Sequence, residues 1–304
     1  MEMVQSLNKT SFDKQNVQGI NKQTFAQKMK AYKKQPFSLF LLGLVVISAV
    51  VTIGILAFVI GYIVLNGVSN LSTDLFAWEY TTENVSMLPA LLNTLYMTGL
   101  TLLLAVPVGI FSAIYLVEYA KRGNRLVNII RVTTETLQGI PSIVYGLFGY
   151  LMFCIGMNLG YTLFAGAITL AIMVLPVIMR TTEEALLAVP DSYREGSFGL
   201  GAGRLRTVFR IVLPSAMPGI IAGVILAIGR IVGETAALIF TAGTVATAAT
   251  GLFDSTRTLA VHMYCLLNEG LYMEQAYATA VVLLVLVLGI NALSGYVAKK
   301  FTKN

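Results

Sequence analysis

Two groups of residues in this 304-residue chain have types and spacings suited to chemistry. The first is Gly229-Arg230-Ile231-Val232-Gly233-Glu234-Thr235-Ala236, lodged in an apolar run with no other charge. Arginine stays charged at any accessible pH, and its planar fork of N–H donors grips two oxygens of an oxyanion at once. A cation inside such a run must face a partner or a wet cavity. On one continuous helix Glu234 shares a face with Arg230 at pairing distance. Gly229 and Gly233 then form a G-x-x-x-G beside which another helix can pack closely. An ion pair that locks helices and an anion site on a transport path both fit this pattern, and the two are compatible. The second group is Glu195-Gly196-Ser197, three residues, Gly201, nine residues, then Ile211-x-Leu213-Pro214. Pro190 ends the preceding helix, and Ser192-x-x-Glu195 reads as a capping box opening a short new one. Gly199, Gly201 and Gly203 mark its turn. Pro214 and Pro218 mark entry into the next apolar element.

Other chemistry lacks its parts. His262 is the only histidine, in the segment 251–270 with Asp254 and Arg257. Without a fixed carboxylate spacing it reads as a surface residue rather than a ligand. Cys154 and Cys265 form no C-x-x-C, so neither a disulfide framework nor a metal site is expected. No H-E-x-x-H, G-x-S-x-G or G-x-x-x-x-G-K-[ST] occurs. A membrane-embedded enzyme fails on this inventory, and no catalytic residue or cofactor is assigned to the chain.

The elements that must position these residues follow from composition. Only 12% of residues are charged, 56% are hydrophobic and the mean hydropathy is +0.76. Soluble domains run at about 25% charged, so this is an all-α integral membrane protein. A span takes roughly 20 helical residues, and the uncharged runs supply six transmembrane helices. The first runs from Phe37 to Leu65 and is too long for a signal-peptide core. The second begins near Leu88 and ends before Glu118, broken or kinked at Pro107. Between Glu135 and Arg180 lie 44 uncharged residues, which Gly156-Met157-Asn158-Leu159-Gly160 divides into a hairpin of two spans. Gly139-Ile140-Pro141-Ser142, near the start of span three, suits either a cavity lining or a Pro-kinked packing segment. The fifth span runs from about Ala216 to Gly243 and carries Arg230 and Glu234; the sixth lies between Glu274 and Lys299. A basic tail at 1–36, a six-span domain at 37–298 with its largest loop at 181–213, and a short end at 299–304 complete the organisation.

The charges orient the whole. Of the 21 Lys and Arg residues, all but Arg230 and Arg257 fall in the N-terminal tail, the loop after span two, the loop after span four and the C-terminus. The loop 66–87 carries Asp74, Glu79 and Glu83 with no basic residue. By the positive-inside rule both termini and 181–213 are cytoplasmic, with 66–87 and 251–270 outside. The net charge of +6 is therefore explained by topology on a lipid membrane, not by nucleic-acid binding.

The spacing of Glu195, Gly201, Leu213 and Pro214 resembles the EAA loop of ABC-importer permeases, with Gly-Ser in place of Ala-Ala. The upstream Glu184-Ala185 does not fit, because Pro190 falls where its glycine is required. The stretches GRIVGETAALIFTAG, GIPSIVYGLFG and AVPVGIFSAIYLVEY look like the phosphate-specific branch of that family and its A-type subunit, over residues 88–298. The resemblance implies a type I importer permease in the plasma membrane of a bacterium or archaeon. It implies a C-type permease as heterodimer partner, two ATP-binding subunits that carry ATP and Mg, and an extracytoplasmic phosphate-binding protein. Glu195, Gly201, Leu213 and Pro214 are then expected to couple to the ATPase, while Arg230 and Glu234 lie on the substrate path. A permease for phosphonate, molybdate or sulfate is the alternative within the family. A self-contained secondary transporter is the rival outside it; that reading needs its own coupling-ion site and inverted repeats.

Overall fold

The computed structural model describes residues 36–121 and 123–302. The tail at 1–36, save Pro36, lies outside the described residues, as do Arg122 and the last two residues of 299–304. The chain divides into two compact units, 1–61 and 62–304. Helix α1 (Pro36–Val68) supplies the described part of the first and reaches into the second. Its 33 residues are uncharged and exceed what a span requires.

In the second unit α2 (Leu88–Ile114) runs unbroken past Pro107 and closes in a π-helical turn, Tyr115–Tyr119. Of the expected break or kink at Pro107 the break is absent, the helix continuing through the proline as membrane helices tolerate. The hairpin departs further from expectation. Helix α3 (Arg125–Gln138) meets α4 (Ser142–Gly149, extended by π turns over Tyr150–Gly156) at a bend of 103°. At ~1.5 Å per residue the stretch 142–156 rises only about 22 Å, short of a full crossing. Helix α3 is amphipathic and exposes Leu126, Ile129 and Val132 on one side.

Helix α5 (Leu163–Leu187) begins where the Thr162 hydroxyl accepts the Ala165 N–H at 3.1 Å. Helices α6 (Asp191–Gly199) and α7 (Arg204–Thr207) form the loop, and π turns over Val208–Val212 lead into α8 (Leu213–Val232). Then come α9 (Ala236–Thr241), α10 (Leu259–Glu269) and α11 (Met273–Thr302). The described residues hold helices and no strand. Five helices are long and apolar enough to cross a membrane, and the bent α3–α4 pair makes the sixth if taken as one span.

Helix α5 is the most buried span, with α2 and α8 packed against it around Met97, Leu170, Met173, Ile178, Ala227 and Ile231. Within lipid, close packing of small residues drives such association. Gly219 and Gly223 of α8 meet Ala185 and Thr181 of α5, where a Cβ on either glycine would collide. A second apolar cluster, Ile114, Leu186, Val189, Val208 and Val212, ties the loop to the ends of α2 and α5.

Candidate functional site

The expected fifth span is not one helix. Helix α8 stops at Val232 with Gly233 as its C-cap, and α9 starts anew at Ala236. Glu234 therefore lies in the break, off the helical face that carries Arg230. Its buried carboxylate accepts the Ala237 N–H at 3.1 Å, satisfying an orphan donor at the positive end of α9. No Arg230–Glu234 ion pair forms among the described residues. The Gly229–Gly233 G-x-x-x-G receives no other helix of this chain. No atom of another helix lies within 4 Å of a Cβ built at Gly229, and Gly233 meets only the Gly229 carbonyl of its own helix. Helix packing falls to the other G-x-x-x-G on α8, Gly219 and Gly223.

Gly229 faces a cleft instead. About 820 Å³ in volume, it is bounded by α3, α5, α8 and α11, with Arg230, Arg180, Glu184, Thr181, Gln138 and Asn291 as polar lining and Val177, Ile225 and Leu226 as apolar wall. The two arginines differ in their company. Arg180 donates from Nε to Glu184 and from Nη1 to Glu135, each at 3.0 Å. Arg131 of α3 adds a further ion pair to Glu183 of α5. Arg230 is half-buried and has no ion pair or hydrogen bond among the described residues. Glu184 of the same lining is engaged by Arg180, and an unpaired cation beside apolar wall attracts an anion more strongly than one in open water. Sequence reasoning missed Arg180 as a cleft residue because it sits at a span boundary, where a charge needs no explanation.

At the other end of α8 the loop 181–213 forms the helix, turn and helix expected, with different caps. Helix α6 starts at Asp191 with Pro190 as N-cap and no side-chain cap bond, so the Ser192–Glu195 capping box does not form. Ser192 is already inside the helix, and Glu195 is exposed on it. Gly201 has φ +84°, a left-handed conformation that favours glycine. The Gly201 N–H donates to Phe198 O at 2.9 Å and the Ala202 N–H to Ser197 O at 3.1 Å, which is a Schellman closure of α6. Buried Ser197 and Thr207 join their hydroxyls at 2.8 Å across the turn. Leu213 packs on the Ile114–Val212 cluster, and exposed Pro214 opens α8.

Arg194 is the residue the sequence reading left out. Its guanidinium donates to Glu118 at the end of α2 (2.7 and 3.1 Å), to Leu186 O and Val189 O, and to Asp191 at 3.2 Å. Glu118 is 7% exposed, so this is a nearly buried clamp between α6, α2 and α5. Away from the clamp the loop presents Tyr193, Phe198, Leu205 and Leu200, the last 91% exposed. The loop is thus clamped at its base and leaves an apolar outer face exposed.

The far end of the bundle is organised by Asn93 of α2. Its side chain donates to Thr247 O and Arg257 O and accepts the Ala249 N–H, and Thr94 accepts the Leu259 N–H. His262, expected at the surface, is fully buried in α10. Burial pushes its pKa from 6.5 down to about 3, helped by the Arg257 charge. No metal-binding group of three or more His, Cys, Asp or Glu exists among the described residues.

Residues 105–303 match the family described as binding-protein-dependent transport system inner membrane component. The probable ABC transporter permease protein YqgI of Bacillus subtilis is 35% identical over 289 residues, covering 86% of this chain and 96% of that protein. The phosphate transport system permease protein PstA of Haemophilus influenzae is 34% identical, over 71% of this chain and 77% of that one. PstA 1 of Mycobacterium tuberculosis is 42% identical over 154 residues, about half of each chain. A chain of a bacterial ABC transporter that imports alginate superposes with TM-score 0.63 at 15% identity, covering 89% of this chain and 99% of that one. A chain of the inward-facing MetNI methionine ABC transporter gives 0.56 at 20% identity, over 69% and 93%. At these identities the structural likenesses speak for the fold alone.

Proposed function

This chain belongs to the family of inner membrane components of binding-protein-dependent transport systems, and on that premise we propose that it is the A-type permease subunit of an ATP-driven importer of inorganic phosphate. Relatives named as phosphate transport permeases support the choice of substrate. A C-type permease completes the pore, two ATP-binding subunits carry ATP and Mg, and an extracytoplasmic binding protein delivers phosphate. Both termini and 181–213 are cytoplasmic.

The observation that carries this reading is Arg230, a half-buried cation without counter-charge facing an 820 Å³ cleft. Its planar fork takes two phosphate oxygens in transit. Arg180 is neutralised by Glu135 and Glu184 and offers no free fork, which leaves Arg230 as the unpaired cation of the cleft. Glu234 acts as a positioning residue: by capping α9 it fixes the break that ends α8 just beyond Arg230. Residues 181–213 couple to the ATPase, with Glu195 and the exposed apolar face of α6 docking and Gly201, Leu213 and Pro214 shaping the loop. Through the Arg194–Glu118 clamp, movement of α6 carries α2 and α5 with it.

Phosphate uptake and complex abundance measured in the same membranes test the site. Arg230→Gln should assemble normally and lose uptake, and Arg230→Lys, which keeps the charge but not the fork, should retain only part of it. A well-assembled Arg230→Gln complex transporting at the wild-type rate removes Arg230 from the path.

A further inference from the structure

Eight buried side-chain N and O atoms lack a hydrogen-bond partner among the described residues, and six of them belong to Thr256, Arg257, Thr258 and His262. Buried polar atoms are almost always satisfied, so their concentration in seven consecutive residues points to a polar guest. Arg257 is 5% exposed and His262 is fully buried. Guanidinium cannot shed its charge, and no carboxylate pairs with Arg257 among the described residues. The Cys265 thiol and the Val85 backbone are close neighbours, but neither meets hydrogen-bond geometry with these two side chains.

Which donors are free identifies the guest. The unpartnered atoms of Arg257 are Nε and Nη2, which lie along one edge of the guanidinium and present two parallel N–H bonds. That edge matches two oxygens of an oxyanion. One face of the guanidinium is covered by the Tyr80 ring, with 4.6 Å from Cζ to the ring centroid. The His262 ring stands edge-on to Tyr80 at 6.1 Å, so the imidazole and guanidinium flank one aromatic wall. Both imidazole nitrogens are free, and a neutral ring supplies one N–H donor. The Arg257 backbone is held in place, its N–H on Val245 O and its carbonyl on Asn93. With Arg257 5% exposed and His262 fully buried, the place suits a small free ion better than a side chain from another protein's surface.

We propose that Arg257 and His262, walled by Tyr80, form a second binding site for a small inorganic oxyanion at the end of the bundle opposite α6, separate from the Arg230 cleft. That the oxyanion is phosphate, and that this end faces outward, rest on the function proposed above. The site then holds phosphate ahead of the cleft.

Equilibrium binding of radiolabelled inorganic phosphate to the purified whole complex, without binding protein, tests this in an Arg230→Gln background that removes the cleft's free cation. Saturable phosphate binding should persist there. Adding Arg257→Lys, which keeps charge and stem but loses the fork, should weaken it by at least about tenfold. His262→Leu, which removes one donor to a charged ligand, should weaken it about tenfold on its own. Absence of saturable binding of any oxyanion, or binding unchanged by both substitutions, overturns the site. A sulfate arm separates the two readings: binding of sulfate but not phosphate that depends on Arg257 upholds the site and overturns phosphate as substrate.

Discussion

Single residues at the two ends of α2 carry opposite electrostatic risks. Arg194 and Glu118 neutralise each other with little access to water, and two backbone carbonyls absorb the remaining arginine donors. Breaking one partner of such a pair costs about 3–5 kcal/mol, because the other charge stays buried. Arg194→Gln should therefore lower complex yield and thermal midpoint sharply, and Arg194→Leu with Glu118→Leu should recover much of the loss; equal loss in single and double variants would refute the clamp. His262 bears a different sign. Its pKa is about 3 folded and 6.5 unfolded, so between those values the unfolded chain binds a proton that the folded chain refuses. Stability from this residue is full above 6.5 and drains as pH falls toward 3. The Arg257 charge and the Tyr80 ring are its neighbours. Thermal melts of the complex should decline with acidity through this range, and His262→Gln should flatten the decline.

At the level of elements, glycines decide where helices stop and where they touch. Gly201 closes α6 from a left-handed conformation with open space around it. A Cβ there costs about 1 kcal/mol through backbone strain rather than collision. Gly201→Ala should thus reduce co-purification of the ATPase subunits, and Gly201→Asn, which tolerates that conformation, should reduce it less. Gly223→Val should disrupt the α5–α8 crossing and deplete the complex, while Gly229→Val, opening on the cleft, should leave abundance intact and impair uptake. Comparable depletion by both would contradict the packing assignment. Glu234→Ala leaves a buried N–H of α9 without its acceptor, worth about 1–3 kcal/mol, whereas Glu234→Gln keeps an acceptor oxygen. These distinctions were invisible in the sequence because two G-x-x-x-G pairs sit ten residues apart on α8. Periodicity alone ranks them equally.

For the whole molecule the orientation is the exposed premise. In a background without Cys154 and Cys265, an impermeant thiol reagent on intact cells should label Glu79→Cys and spare Lys299→Cys. The reverse pattern would place 181–213 outside, away from any ATPase, and dissolve the coupling assignment. In the expected orientation the molecule works between two ends. One end presents a rigid apolar loop clamped to α2 and α5, and the other holds Arg257 beneath the segments that Asn93 gathers.

What the sequence determined by itself rests on solvent and periodicity. Long uncharged runs must be helical in lipid, since each backbone N–H and C=O has to be satisfied within the segment. The helical fold, most spans, and the helix–turn–helix of 181–213 were therefore legible before any coordinates. The special weight of Arg230 was legible too, because a cation inside an apolar run demands company. Only the tertiary structure decided which company. It broke the fifth span at Gly233, moved Glu234 from an ion pair to a cap, set α3 and α4 at 103° to each other, and buried His262. These outcomes depend on neighbours distant in the chain: Thr181 against Gly223, Glu118 against Arg194, Tyr80 against Arg257. Local spacing states what a residue can do, and burial beside a particular partner selects which of those possibilities is realised.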